Sequence, residues 1–236
     1  MRIHRFFINH AIGEAENVSL RDKALLHQWR DVFRLNVGSF VRLFDGTGYE
    51  YLCQLAELMP YEAKLIIREK KYVGVKQKIH LTLAPALIKK DNLEWVLEKG
   101  TELGASVFRP FIAGRTEKKG FRMDRAEKLI AEASEQSGRA DLPKIFPPAK
   151  FPEVFNAIKE EGALILACHQ GGDFYSWEIL GGENKIAVFI GPEGGFSPEE
   201  IRIFERENVP ILSLGSQTLR AETASIAISA LILLQH

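Results

Sequence analysis

The sequence predicts an α/β protein in which a small β-rich domain precedes a larger domain of alternating strands and helices. Residues 39–44 and 49–55 are alternating strands on either side of the glycine-rich turn at residues 45–48, which is typical of a β-hairpin. From residue 78 onward, strands alternate with helices, a pattern that favours a mostly parallel sheet covered on both faces. The polar segment between the two patterns places the domains at residues 1–72 and 73–236.

The N-terminal region has the elements of a small barrel with one helix. A strand-like pattern begins near the first residue, and residues 63–68 form another strand pattern after the hairpin. Between the first strand and the hairpin, residues 20–35 carry apolar side chains at helical spacing, among them Leu25, Leu26, Trp29 and Phe33.

The C-terminal region predicts five strands and three helices. The predicted helices cover residues 90–102, 124–137 and 223–234, and the last of them is rich in small side chains that permit close packing against a neighbour. The predicted strands cover residues 79–84, 107–111, 162–168, 185–190 and 209–214.

Composition favours a soluble cytoplasmic protein with no metal site. Of 236 residues, 46% are hydrophobic and 26% charged, ordinary values for a globular protein with a real core. The N-terminus lacks the apolar stretch of a signal peptide, and no apolar run reaches the roughly 18 residues that span a membrane. Cys53 and Cys168 are expected to be reduced and buried, and the six histidines lack metal-ligand spacing.

The charge is zero overall but strongly asymmetric along the chain. Residues 1–128 carry 23 Lys and Arg against 16 Asp and Glu, and the remaining residues carry the opposite excess. This asymmetry indicates either a surface for a polyanion such as RNA or an ordinary solvated basic face. The densest basic cluster consists of Arg115, Lys118, Lys119, Arg122, Arg125 and Lys128.

The glycine-rich segment 190–200 follows a predicted strand, where open α/β sheets bind their ligands. Its glycines allow the backbone to approach a ligand closely, and Ser197 with Glu200 predicts a capping box at the start of a helix. Neither phosphate-binding glycine motif is present, and Glu193, Glu199 and Glu200 would repel a polyphosphate. The segment therefore predicts a site for a ligand without phosphate, with a purely structural turn as the alternative.

A second glycine-containing segment follows the last predicted strand. Residues 214–224 place Arg220 and Glu222 ahead of the final helix, where they serve either a ligand or a simple salt bridge. Residues 166–169, at the end of another strand, are a third candidate wall of the same pocket.

Four motifs together resemble the RsmE family of ribosomal RNA uridine-N3 methyltransferases, within the SPOUT superfamily. They are Lys-Gly-Thr-Glu-Leu-Gly at 99–104, Glu-Gln-Ser-Gly-Arg at 135–139, Ile-Gly-Pro-Glu-Gly-Gly at 190–195 and Leu-Gly-x-x-x-Leu-Arg-x-Glu-Thr-Ala at 214–224. With the N-terminal His-Arg-Phe-Phe and the Phe-Asp-Gly of the hairpin, the resemblance covers nearly the whole chain. One departure is Gln217, where the family usually has arginine, so RNA contacts are not carried over to that position.

The resemblance implies a C-terminal SPOUT methyltransferase domain with a deep trefoil knot, preceded by a PUA-like β-barrel that binds RNA. It also implies a homodimer, 16S ribosomal RNA or the 30S subunit as the partner, and S-adenosylmethionine as the cofactor. We further predict that the RNA surface includes Arg5, Arg115, Lys118, Lys119, Arg122 and Arg139. The implied cofactor-binding residues are Leu166, His169, Ile190, Gly191, Pro192, Glu193, Gly194, Gly195, Leu214, Gly215, Leu219, Thr223 and Ala224.

The expected reaction is methyl transfer to N3 of a uridine, with Arg220 and Glu222 as the catalytic residues. Arg220 is expected to stabilise negative charge on the uracil oxygens, with Glu222 orienting it. The general base stays open among Glu102, Glu135 and Glu222. Two alternatives are a catalytically inactive RNA-binding assembly factor and a methyltransferase that acts on transfer RNA.

Overall fold

The computed structural model describes residues 3–74, 77–116 and 120–234, and the chain within it divides into two units. Unit 1 consists of Met1–Val75 together with Ser134–Leu142. Unit 2 consists of Lys76–Ala133 and Pro143–His236. No helix in the described part of the chain is long and apolar enough to cross a membrane.

Unit 1 is built on a five-stranded sheet in which the predicted hairpin is confirmed. Phe44 pairs with Glu50 across the turn, where Gly46 and Gly48 adopt positive φ angles of 82° and 87°. The strand His4–Phe7 is parallel to its neighbour Phe40–Phe44, and all other neighbouring strands in this sheet are antiparallel. In sheet order the strands are β1 (His4–Phe7), β3 (Phe40–Phe44), β4 (Tyr49–Leu58), β5 (Ala63–Tyr72) and β2 (Asn17–Leu20).

The predicted helix over residues 20–35 is wrong in length and in type. The structure has a short helix α1 (Lys23–His27), capped by the Asp22 side chain, and then a π-helical turn at Gln28–Val32. Trp29 in this turn is fully buried and lies 5.3 Å, between ring centroids, from Phe6. One wider turn hardly alters the spacing of apolar residues, so periodicity does not reveal it.

A buried ion-pair network in unit 1 ties β1 to residues 134–142. Arg5 Nε donates to Glu50 Oε2 at 2.5 Å, and its two terminal nitrogens donate to the carbonyl oxygens of Glu135 and Arg139 at 3.3 and 3.2 Å. The amide of Phe7 donates to Glu135 Oε1 at 2.6 Å. Arg42 donates to the second oxygen of Glu50 at 2.7 Å, so both carboxylate oxygens are paired.

Unit 2 contains a six-stranded sheet in which every pairing is parallel, as the alternating pattern predicted. Pro110 divides the single strand predicted at residues 107–111 into two short ones, because proline has no amide to donate to the ladder. The second of these, β8 (Phe111–Ile112), pairs with β10 (Ala149–Lys150) in a separate two-stranded sheet. In order, the main sheet contains β13 (Ile211–Ser213), β11 (Leu164–Phe174), β12 (Lys185–Ile190), β6 (His80–Pro85), β7 (Val107–Phe108) and β9 (Lys144–Ile145).

Five helices accompany these strands. The three predicted helices are confirmed to within a few residues, and Pro198–Arg206 begins with the predicted capping box. The helix Phe151–Glu160 was not predicted. The helices are α2 (Lys90–Leu103), α3 (Met123–Ser137), α4 (Phe151–Glu160), α5 (Pro198–Arg206) and α6 (Ala221–Leu233).

A cluster of phenylalanines joins β8, α4, α5 and β12 in the core of unit 2. The rings of Phe151 and Phe204 meet edge to face at 5.3 Å, and Phe189 lies 5.5 Å from Phe111. Phe196, just after β12, packs on Phe204 at 5.0 Å and is only 3% exposed. Because burying each such side chain contributes roughly 1.5–3 kcal/mol, this cluster anchors the loop that follows β12.

Replacing Arg5 with alanine is expected to lower the free energy of unfolding by about 3 kcal/mol, because it leaves the Glu50 carboxylate, 9% exposed, without its main partner. Arg21→Ala is the matched control, since the Arg21–Glu62 pair is in the same unit but 79% of the Arg21 side chain is exposed. Urea denaturation measures both. Equal losses in the two variants would contradict the role given to the Arg5 network.

Candidate active site

Three chain segments meet at the carboxyl edge of the parallel sheet in unit 2. One is a bulge in the second half of β11, and the other two follow β12 and β13; they lie at the same edge because the strands are parallel. The segments border a cleft of about 340 Å³ and, beside it, a smaller recess of about 70 Å³. The cleft is lined by Cys168, His169, Gln170, Ile190, Gly191, Pro192, Glu193, Gly194, Gly195, Phe196, Thr218, Leu219, Arg220, Ala221 and Ala224.

Most of the residues predicted for the cofactor line these two cavities, and a few do not. Leu214 borders the small recess together with Gln217. Leu166 is fully buried within β11, and Thr223 lies in a separate groove on α2 and α6. Gly215 lines neither cavity; its φ of 141° shapes the segment that follows β13. Cys168, Thr218 and Ala221 also line the cleft and lie within the predicted segments 166–169 and 214–224, although they were not singled out. The cleft residues that sequence reasoning missed are Gln170 and Phe196, which directly follow the segment 166–169 and the motif 190–195.

The loop after β12 is held in one shape by its glycines and by the helix that follows. Gly195 donates to the Pro192 carbonyl at 2.8 Å and has a φ of 69°, which favours glycine. A Cβ on Gly191 would lie 3.3 Å from the Phe196 nitrogen, a tight contact that would require the loop to shift slightly. Arg115, predicted to bind RNA, donates to the Gly194 carbonyl at 2.7 Å and so also supports the loop.

Glu200 belongs to the framework of the site. Its Oε2 accepts from the Ser197 amide at 2.7 Å, which completes the predicted capping box with the Ser197 hydroxyl. Its Oε1 accepts from the Gly114 amide at 2.9 Å. The carboxylate is 5% exposed, and these bonds occupy both of its oxygens. Among Glu193, Glu199 and Glu200 of the segment 190–200, it is Glu193 that lines the cleft.

A bulge in β11 turns His169 and Gln170 into the cleft. Cys168 and Asp173 both pair with Leu212 of β13, so the four residues between them loop out of the strand. The loop closes at Gly172, where a Cβ would lie 2.4 Å from the Ile211 carbonyl oxygen. The Gly171-Gly172 pair in the sequence is the signal that marks this bulge.

Contacts across the cleft connect the bulge to both glycine-rich segments. The His169 and Phe196 rings meet edge to face at 6.0 Å, and the Gln170 side-chain amide donates to the Thr218 hydroxyl. Burial raises the pKa of the Cys168 thiol to about 12, so it stays neutral and presents a non-ionic wall. The cleft therefore combines apolar walls with backbone polar groups, the Glu193 carboxylate and the exposed Arg220 guanidinium.

Arg220 and Glu222 do not pair with each other, which removes the salt bridge as their explanation. Arg220 is the N-cap residue of α6, and its exposed side chain lines the cleft. Glu222 lies in the first turn of α6 and is 4% exposed. Its Oε2 has no hydrogen-bond partner in the described part of the chain.

The other predicted RNA-binding residues are dispersed. Arg5 and Arg139 belong to unit 1, with side chains only 17% and 10% exposed. Arg122 is exposed and forms an ion pair with Asp124. Lys118 and Lys119 lie outside the described residues. RNA contact by these five residues stays a prediction.

The fold and the cleft correspond to a known class of enzyme domain. Residues 75–233 match the family model of the RNA methyltransferase domain. A ribosomal RNA small subunit methyltransferase E from Rickettsia conorii is 31% identical to this chain, over 96% of this chain and 93% of the relative. The chain belongs to the ribosomal RNA small subunit methyltransferase E family.

Two solved structures share the fold over nearly the whole chain. A Legionella pneumophila methyltransferase in complex with the cofactor SAM (S-adenosylmethionine) superposes with a TM-score of 0.86 and 26% identity, covering 98% of this chain and 97% of its own. A Neisseria gonorrhoeae ribosomal RNA small subunit methyltransferase E bound to S-adenosylmethionine gives a TM-score of 0.87 at 24% identity, covering 98% of this chain and 96% of its own.

Gly172→Ala is expected to destabilise the protein by about 2 kcal/mol, because the new methyl group would overlap the Ile211 carbonyl and push the two strands apart. Gly120→Ala serves as the control, since a Cβ there meets nothing within 4 Å. Thermal denaturation of both variants, followed by circular dichroism, measures the difference. A Tm for Gly172→Ala equal to that of the control would show that the bulge accommodates the methyl group without loss of stability.

Proposed function

We propose that this protein transfers a methyl group from S-adenosylmethionine to N3 of a uridine in 16S ribosomal RNA of the small subunit. The observation that carries the proposal is the cleft at the carboxyl edge of the sheet, where the β11 bulge and the loops after β12 and β13 meet beside Arg220. The family supports the reaction class, since its members are named as methyltransferases of small-subunit ribosomal RNA. The substrate places the enzyme in the cytoplasm, on naked RNA or on the assembled 30S subunit.

The residues of the cleft fit S-adenosylmethionine. This cofactor supplies a methyl group activated on a positively charged sulfur and carries no phosphate. The cleft offers apolar walls at Ile190, Leu219 and Ala224, together with a backbone kept open by Gly191. Glu193 adds a carboxylate that complements a cation. The Legionella relative, which has the same fold, was solved with this cofactor.

Arg220 and Glu222 are the residues we assign to the reaction. Uracil N3 must lose its proton before or during attack, and negative charge then develops on the neighbouring uracil oxygens. The Arg220 guanidinium lines the cleft, unpaired with Glu222, and stabilises that charge. Holding the uridine in line with the methyl group supplies much of the remaining acceleration.

Glu222 is the carboxylate we favour as the proton acceptor or positioning group. Glu102 pairs with Lys99 at 2.8 Å, and one oxygen of Glu135 accepts from the Phe7 amide. Both of these carboxylates have a contact within the fold. The Oε2 of Glu222, by contrast, is buried without a hydrogen-bond partner in the described residues and is free to accept a proton or a hydrogen bond.

We also propose the finer features of the fold. The deep trefoil knot is supported by the arrangement of the two glycine-rich segments, which follow β12 and β13 on either side of β11 and line one cleft. The domain division at residues 1–72 and 73–236 is proposed from the end of β5 at Tyr72, with residues 134–142 returning to unit 1. Unit 1 is proposed as a PUA-like barrel that binds RNA, and Arg115, Lys118, Lys119 and Arg122 of unit 2 are proposed RNA-binding residues.

A homodimer is proposed through α2 and α6. These helices form a groove of about 590 Å³ lined by Trp95, Leu103, Thr223, Ile226 and Ala227, among others. Trp95 is 47% exposed and lies with Leu103 and Ile226 in this groove, and a contiguous apolar patch of this kind is typical of a protein interface. A single monomeric species in sedimentation velocity at micromolar concentration would contradict the dimer.

The direct test is the transfer of a labelled methyl group to small ribosomal subunits from a strain that lacks this modification. We expect one 3-methyluridine, mapped by digestion and mass spectrometry, and the same assay on naked 16S ribosomal RNA identifies the form of the substrate. Cofactor binding without transfer to either RNA would favour the inactive assembly factor. Transfer to transfer RNA instead would favour the other alternative.

Replacing Arg220 with alanine is expected to reduce the single-turnover rate about 10²- to 10³-fold, as removal of one charge-stabilising group typically does. The affinity for S-adenosylmethionine, measured by calorimetry, stays within several-fold. Arg202→Ala, on α5, is the control and leaves both quantities unchanged. A parallel loss of rate and of cofactor affinity in the Arg220 variant would make Arg220 a cofactor-binding or structural residue.

A further inference from the structure

Unit 2 contains a second cavity at the same edge of the sheet, with a volume of about 520 Å³. Its first wall is the segment 87–90, which directly follows β6. The cavity is larger than the proposed cofactor cleft and falls within the range of about 300–1,000 Å³ typical of small-molecule sites. It is lined by Leu87, Ile88, Lys89, Lys90, Leu93, Glu94, Leu97, Gly120, Phe121, Arg122, Arg125 and Ala126.

This cavity and the cofactor cleft are bordered by the segments that follow two adjacent strands, β6 and β12. The Ala86 amide donates to the carbonyl of Ile190 at 2.8 Å, and Ile190 is a wall of the cofactor cleft. The next residue, Leu87, is a wall of the second cavity, and its amide donates to Phe111 at 2.8 Å. Leu87, a wall of the second cavity, is therefore the next residue after Ala86, which is hydrogen-bonded to Ile190 in the wall of the cofactor cleft.

The lining separates into an apolar floor and a basic rim. Leu87, Ile88, Leu93, Leu97 and Ala126, all less than 9% exposed, form the floor. Beside them stands the ring of Phe121, which is half-buried. An apolar slot with one aromatic wall suits a flat, weakly polar ring rather than a charged group.

The rim carries four cations, namely Lys89, Lys90, Arg122 and Arg125, against one carboxylate among the described residues that line the cavity. That carboxylate, Glu94, pairs with Arg125 at 3.1 Å and with Lys90 at 3.7 Å. The Arg125 hydrogen bond holds the pKa of Glu94 below its usual range, so the carboxylate stays ionised and its charge is matched. Arg122 is paired with Asp124 in the same way. Lys89, exposed and free of an ion pair in the described residues, faces solvent.

We propose that this cavity receives one unstacked nucleotide of the substrate RNA, with the base against Phe121 and Leu93 and the phosphate at Lys89 and Lys90. Single-stranded RNA is recognised in this manner, through a stacked base and a cationic contact to its backbone. The proposal rests on the proposed function, since it supposes an RNA substrate. It adds a contact that holds the RNA beside the cofactor and takes no part in the methyl transfer itself.

The test compares two variants of the full-length protein with a matched control. Leu93→Trp fills the floor, and Lys89→Glu with Lys90→Glu reverses the exposed rim without touching the core. Arg206→Glu is the control: it reverses a charge at the far end of α5, 71% exposed, at the opposite edge of the sheet. The measurements are filter binding of labelled, unmodified small ribosomal subunits, calorimetry with S-adenosylmethionine, and the single-turnover methylation rate at saturating subunits.

We expect the affinity for subunits to fall about tenfold or more in both variants, the loss that removal of one stacked base or two phosphate contacts produces. Cofactor affinity and the saturating rate stay within about threefold of the unmodified protein. Unchanged subunit binding in the rim variant, or a parallel loss of cofactor affinity, would overturn the proposal. If the protein without substitutions binds subunits but methylates none, the proposed function is wrong. The comparison of subunit binding between the variants and the control still tests whether the cavity binds a nucleotide.

Discussion

The parallel alignment of β6, β12 and β11 is the constraint on which the rest of unit 2 depends. It brings the carboxyl ends of strands that are far apart in sequence to one edge, where the proposed cofactor cleft and the proposed nucleotide cavity both lie. β6 and β12 are almost entirely buried, so their register is held by packing on both faces. A shift of one residue in the register between β6 and β12 would break the hydrogen bond from Ala86 to Ile190. The walls of the cofactor cleft and of the second cavity would then no longer be aligned.

The loops at this edge are rigid for reasons that do not involve a ligand. Phe196 anchors one loop in the phenylalanine cluster, and the two oxygens of Glu200 hold it to α5 and to Gly114. Gly172 allows the β11 strand to bulge and rejoin its neighbour. A cleft that is already formed in this way loses little conformational entropy when a ligand binds, which favours both affinity and orientation.

Arginines of this chain serve two different purposes, and their hydrogen-bond partners distinguish them. Arg5 donates hydrogen bonds to Glu50 and to two carbonyl groups, so its guanidinium is paired within unit 1. The sequence had instead predicted Arg5 as an RNA-binding residue. Arg115 supports the glycine-rich loop through Gly194. Arg220 caps α6 but leaves its guanidinium exposed beside the cleft. Charge counted along the sequence does not separate these cases, because it contains no information on hydrogen-bond partners.

The sequence by itself determined the alternation of strands and helices, the hairpin, the capping box at Ser197 and the glycine-rich segments of the cleft, because each depends on local patterns of a few residues. The tertiary structure decided the rest. It ended the first helix in a π-helical turn around Trp29, split a strand at Pro110 and folded the β11 bulge at Gly172. It also placed Phe121 and the segment after β6 around one cavity. These features depend on which distant groups meet, and only the packed chain contains that information.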